Sequence, residues 1–165
     1  MAAGKISSAL VAARIASALA LATGMLLMLG SVASSAGPVD EANAVINRWT
    51  AAYNAGDAEG IVKLYTPDAV LLGTRSPIIS QGTEAIRSYF SALVNPTTGN
   101  KIVLDDRRTI VLGDLHSVLV TGFYTFLRGA AATPDPARFT MLFVNRGSVW
   151  LIAHHHSSVR PAPPK

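Results

Sequence analysis

From Asp40 onward the apolar residues Ala44, Val45, Trp49, Ala52 and Tyr53 recur at three- and four-residue spacing, which is one face of an amphipathic helix. Asp40 and Glu41 stand at its start, where negative charge suits the helix dipole. Gly56 is a C-terminal stop. Asp57 can cap a second, short helix with Ile61, Leu64 and Tyr65 inward. Thr66-Pro67-Asp68 ends that helix and Ala69 to Leu72 reads as a short strand. A loop from Gly73 to Gly82 leads into a third helix, Thr83 to Leu93, facing inward through Ile86, Tyr89, Phe90 and Leu93. After the turn Asn95 to Asn100 the period changes to that of strands. Lys101 to Leu104, Thr109 to Leu112, Ser117 to Phe126, Arg138 to Val144 and Val149 to His154 are the segments, with a Gly/Ala/Pro loop over Gly129 to Pro136. The pattern is α+β: about three N-terminal helices packed on one face of a curved antiparallel sheet. The segment 159–165, with its Pro161-Ala-Pro-Pro run, is expected to be a disordered tail.

The first 36 residues obey another rule. A loosely basic start holding Lys5 and Arg14 precedes an uncharged apolar run from Ile15 to Leu29, and the small residues Ser31-Val-Ala33 and Ser34-Ser-Ala36 follow. That order is a secretory signal peptide, cleaved after Ala36 or Ala33, and it predicts a secreted or periplasmic protein. The alternative is an uncleaved membrane anchor, because the uncharged stretch Ile15 to Val39 is long enough to cross a bilayer.

Composition narrows the function classes. The chain of 165 residues carries 14 Lys and Arg against 10 Asp and Glu, but two of the basic residues fall in the leader, which has no acid. The remaining 12 and 10 nearly balance and form no basic stripe, so nucleic acid is not an expected partner. The lack of Cys excludes disulfides, thiolate chemistry and Cys-based zinc sites. No paired carboxylates, nucleophile elbow, phosphate loop or dinucleotide fingerprint occurs, and no cofactor is expected.

Two stretches carry a family resemblance. Arg48-Trp49-Thr-Ala-Ala-Tyr53-Asn54-Ala-Gly56-Asp57 with Leu64-Tyr65-Thr-Pro-Asp68-Ala69-Val70-Leu71 resembles the opening of NTF2-like domains, SnoaL-like proteins among them. The closing Trp150-Leu-Ile-Ala-His154-His155-His156-Ser157-Ser158 is similar to the bacterial branch related to the association (hub) domain of calcium/calmodulin-dependent kinase II. Gly82-x-x-x-Ile86-Arg87-x-Tyr89-Phe90 and Ala137-Arg138-Phe139-Thr140 fit the same branch. The resemblance spans residues 40–158 and implies a cone with an inner pocket, and dimers or rings formed through the sheet. It implies no reaction, because relatives range from isomerases, cyclases and dehydratases to plain oligomerisation modules.

The candidate chemistry is sparse. Strict alternation along the last strand places Trp150, Ile152, His154, His156 and Ser158 on one face and His155 with Ser157 on the other. His154 and His156 are candidate pocket residues by resemblance to the hub; with no third ligand at suitable spacing, no metal site is predicted. Arg138 is a candidate for binding a carboxylate by its two-pronged guanidinium. One of the hub's strand arginines falls near Met141, however, so its acid-binding set does not carry over whole. Tyr53 and Tyr124 are candidate hydroxyl donors, as is Tyr65. Asp68 and His156 are the candidates for acid/base work. Two readings follow: an exported homo-oligomer holding a small organic ligand, acids included, or a cofactor-free isomerase, cyclase or dehydratase.

Overall fold

The structure is a computed structural model, and it describes residues 36–113, 115–162 and 164. The expected leader, residues 1–36, lies outside the described residues but for Ala36, and so do Asp114 of the predicted turn and Pro163 and Lys165 of the tail. Helix α1 runs Pro38–Ala55 and α2 Ala58–Val62. Strands β1 (Tyr65–Leu72) and β2 (Ile79–Gln81) precede helix α3 (Gly82–Leu93). Four long strands follow: β3 Lys101–Val111, β4 Ser117–Arg128, β5 Thr133–Arg146 and β6 Val149–Val159. The architecture is the expected α+β one, with three helices among the described residues packed on a single curved sheet. No described helix is long and apolar enough to cross a membrane.

Local chemistry accounts for the helix boundaries. Pro38 opens α1 where its missing N–H costs nothing. Gly56 closes it at φ 75°, a left-handed position suited to glycine, and a Cβ there would also lie 2.8 Å from the Pro96 nitrogen. The Asp57 carboxylate accepts the Gly60 N–H at 2.8 Å and starts α2. That helix stops at Val62, so Leu64 and Tyr65 are not part of its face. Tyr65 begins β1 instead, several residues before the predicted strand.

The sheet order is β2-β1-β6-β5-β4-β3. Every pairing is antiparallel except β1 with β6, so the expected antiparallel meander is closed by one parallel join between the first long strand and the last. Where two strands were predicted between Lys101 and Leu112, β3 is continuous, with a bulge between Leu104 and Arg107. The predicted Gly129–Pro136 loop is shortened by β5, which already begins at Thr133. Pro134 and Pro136 are tolerated there because β6 starts pairing only at Ala137, which leaves this end of β5 an edge. At the tail, Val159 belongs to β6, and the Arg160 amide donates to the Pro136 carbonyl at 3.0 Å.

One core forms between the helices and the inner sheet face. Ala42, Val45, Ile46, Trp49 and Tyr53 of α1 and Ile86 and Phe90 of α3 meet Val118, Val120, Tyr124, Phe139, Met141, Phe143 and Ile152, all nearly or fully buried. Opposite the β3 bulge, a Cβ on Gly122 would come within 2.6 Å of the Asp106 carbonyl oxygen and 2.9 Å of the Arg107 Cα. Backbone cannot yield as a side-chain tip can. Gly122→Ala is therefore expected to cost about 1–3 kcal/mol, read as a lower urea midpoint; an unchanged midpoint would mean that the bulge is not held by this close approach.

Candidate functional site

The last strand departs from the alternation that the sequence predicts. Phe143 pairs with Ile152 and Leu142 with His154, which leaves Ala153 as an extra residue in β6. Trp150 and Ile152 face the helices as expected, but beyond the bulge the phase reverses. His155 and Ser157 turn inward, 2% and 5% exposed, and His154 and His156 turn to the opposite face, which is helix-free among the described residues. Nothing in the run Trp150-Leu-Ile-Ala-His marks the bulge, because it contains neither Gly nor Pro.

His155 is held at both ring nitrogens. Trp49 Nε1, which can only donate, lies 3.1 Å from Tyr65 Oη, and Tyr65 Oη lies 2.8 Å from His155 Nδ1. Tyr65 therefore accepts from the indole and spends its single proton on Nδ1. The neutral ring carries its own proton on Nε2, which is 3.4 Å from Tyr124 Oη. Tyr124 donates to Ser157 Oγ at 2.5 Å, and Ser157 meets the Thr74 hydroxyl. The donors thus run one way from the indole at the centre of the core as far as Ser157, which meets Thr74 at its edge. Burial, with smaller contributions from His154 and His156, pushes the His155 pKa down to about 3. Burial also raises the Tyr65 and Tyr124 hydroxyls well above the ordinary tyrosine value.

Aromatic rings complete this chamber. Trp49 stacks with Tyr124 at 6.3 Å and meets His155 edge-on at 5.5 Å, and Tyr124 stacks on Phe139 at 4.9 Å. The free space that remains is about 20 Å³, room for a water molecule at most. The Tyr53 hydroxyl is buried with no hydrogen-bond partner among the described residues; burial lifts it to about 12 against the pull of nearby Arg128.

Tyr89, Leu93 and Arg128 border both the chamber and an open mouth of about 310 Å³, where Thr74, Arg75, Ser76 and Ala92 join them. Gly73 allows this arrangement, since a Cβ on it would lie 2.4 Å from the Tyr89 ring. Two guanidiniums converge on Asp135 at the mouth. Arg75 Nη2 is 2.8 Å from Oδ1 and Arg128 Nη2 is 3.1 Å from Oδ2. Arg75 first, then Arg128, holds the Asp135 carboxyl below the usual range despite partial burial. Arg128 also lies over the Phe126 ring at 4.2 Å. Sequence reading missed Arg75, Arg128 and Asp135, which fall in or beside segments read as loops.

The sequence candidates divide between the two faces of the sheet. Tyr53 and Tyr124 line the chamber. Arg138 and His156 line a separate groove of about 450 Å³ on the helix-free face, and His154 is half-buried on that same face. Asp68 is exposed in β1. Its carboxyl is held below the ordinary value, first by the Thr66 hydroxyl, which stops short of a formed hydrogen bond, and then by its own backbone amide. Among the described residues no three His, Asp or Glu side chains converge as metal ligands would.

A family model for the SnoaL-like domain matches residues 42–163. The chain belongs to the SnoaL-like family. This SnoaL-like domain is also similar to solved structures of NTF2-like proteins. A protein from Xanthomonas campestris described as a calcium/calmodulin-dependent protein kinase II association domain is 34% identical, with a TM-score of 0.67, and the match covers 77% of this chain and 94% of that one. A Streptomyces avermitilis protein described as a dehydratase of the NTF2-like family is 18% identical over 76% of this chain and 98% of that one, with a TM-score of 0.67. An NTF2-like protein of unknown function from Pseudomonas putida is 20% identical over 72% and 84%, with a TM-score of 0.64. At those two identities the likeness shows the fold alone. No curated protein matches the chain.

The buried imidazole makes stability depend on pH. Between about pH 3 and the ordinary histidine value of about 6.5 the unfolded chain binds a proton that folded His155 refuses, so stability rises with pH across that window and is lost as pH falls. Urea unfolding from pH 6 down to pH 4 should show a decline approaching about 1.4 kcal/mol per pH unit from this group. The decline should flatten in His155→Gln. An equally steep decline in that variant would assign the pH dependence to other groups.

Proposed function

We propose that this SnoaL-like domain is an exported, self-associating protein that holds a small carboxylic acid at the mouth of its cone. The convergence of the Arg75 and Arg128 guanidiniums on that mouth carries the reading. Their one shared counter-charge is Asp135, which leaves the cluster a net positive charge. Both side chains can turn a fork toward a second carboxylate, and Tyr89, Ala92 and Leu93 offer an apolar wall to the rest of the acid. Asp68 and His156 lend no support to the acid/base enzyme reading, because both stand outside the chamber and the mouth.

Binding of benzoate and butyrate, followed by calorimetry and thermal shift, is the test. Arg128→Gln should weaken binding at least tenfold, about 1.4 kcal/mol. Arg75→Gln, whose side chain is 67% exposed, guards against a mere folding defect and should weaken binding severalfold. Asp135→Asn removes the resident competitor and should tighten it. Indifference to both arginine variants would sink the reading.

Self-association is assigned to the helix-free face of the sheet. Ile110 and Leu119, Leu142 and His154, Val144 and Leu151 are paired neighbours there, and Val70 flanks His154 on the other side. They make an apolar half-face that no element among the described residues covers. The resemblance to an association domain and the signal-like N-terminus support the oligomeric and exported parts of the proposal. Light scattering on the protein recovered outside the cytoplasm, with Gly37 as the expected first residue, should give a dimer or ring that Leu142→Glu converts to monomer. A wild-type monomer would exclude this assembly.

A further inference from the structure

The other half of the helix-free face has a different character. Across β3, β4, β5 and β6, Arg108 pairs with Thr121, Phe123 with Arg138, Thr140 with His156, and Arg138 with Ser158. These pairings form the groove of about 450 Å³, a volume suited to a small organic molecule. Three of its charged linings are guanidiniums and one is a carboxylate, Asp106, which Arg108 already engages at 2.6 Å. Arg107 and Arg138 have no carboxylate partner among the described residues. Arg138 commits its Nε to Ser158 Oγ at 3.0 Å, which fixes the direction of the fork. At the wall, the Arg160 guanidinium lies over the Phe123 ring at 4.0 Å and adds a further positive charge to this end.

We infer that this groove is a second ligand site, distinct from the mouth of the cone, and that it takes a small organic oxyanion bearing carboxylate or phosphate groups. A second copy of the chain is the poorer occupant. A two-fold contact centred here would set guanidiniums against guanidiniums, whereas the apolar half-face beside it carries no such penalty. Arg108 and Arg138 share this face on strands separated only by β4, so the groove presents two positive groups to one ligand, with His156 beside them as a further donor. The Thr140 hydroxyl donates to Thr121 Oγ1 and Thr121 to the Phe139 carbonyl, so neither has a proton left for the ligand. Recognition rests on the arginines.

Titration calorimetry of the full chain with inorganic phosphate and with citrate at low salt tests the site. At least one should bind saturably, and their ratio tells a phosphate preference from a carboxylate one. Arg138→Gln should weaken the tighter anion at least tenfold, and Arg138→Lys, which keeps the charge but loses the fork, severalfold. Arg146→Gln, on the same face outside the groove, should leave it unchanged. Binding should also persist in Arg128→Gln, which removes the mouth site, so failure of one site does not pass for failure of the other. Absence of saturable binding by either anion, or indifference to Arg138→Gln, would overturn the inference. So would a dimer that falls apart in Arg138→Gln, since the groove would then be covered by a second copy.

Discussion

An imidazole buried without charge needs a partner at each nitrogen, and much of this fold is arranged to meet that need at His155. The ring reaches the interior only because Ala153 bulges out of β6. Its Nδ1 is met by a tyrosine from β1, and that tyrosine is oriented in turn by an indole from α1. On the other side Tyr124 of β4 takes the Nε2 proton. An unmet buried donor or acceptor costs about 1–3 kcal/mol, so three strands and a helix are tied to one another's positions by a few atoms. Around that knot the aromatic rings close the space to almost nothing, and the polar, open part of the cone is displaced outward to Arg75, Arg128 and Asp135.

That displacement bears on what the domain can do. The chamber has only about 20 Å³ of free room, and the open volume of the cone, about 310 Å³, lies at the mouth. The one-way order of donors reaches Ser157, whose hydroxyl meets Thr74 at that mouth. Charge on the two sides of the sheet follows different logic. At the mouth two arginines already share a carboxylate, whereas in the outer groove Arg138 has none among the described residues.

Much of the fold was legible in the sequence. The 3.6-residue period of α1, its glycine stop, the Asp57 cap and the β-branched runs are local signals that tertiary packing did not override. The motifs at both ends of the domain fixed the family. Boundaries shifted where tertiary pairing decided: Tyr65 left the helix for β1 because β6 offered it a partner, and β5 extended through two prolines because nothing pairs with that edge. The site was less legible. Tyr53, Tyr65 and Tyr124 were recognisable as inward hydroxyls, but a single extra residue exchanged the roles of His155 and its neighbours. Asp135 and Arg128 escaped notice because their partnership with Arg75 spans sixty residues, from 75 to 135, and no spacing rule reports a contact of that length.

The parallel join of β1 to β6 has a consequence for the birth of the protein. Residue 65 must wait for residue 152 before it has a neighbour on that side, and Tyr65 must wait for His155 before its proton has an acceptor. Until the ribosome has delivered β6, Trp49 and Tyr65 can pack only on earlier partners, Phe90 first and then Tyr124 against the indole. The contacts that join β1 to β6 are thus among the last that the growing chain can form, the loop between them being nearly the length of the domain.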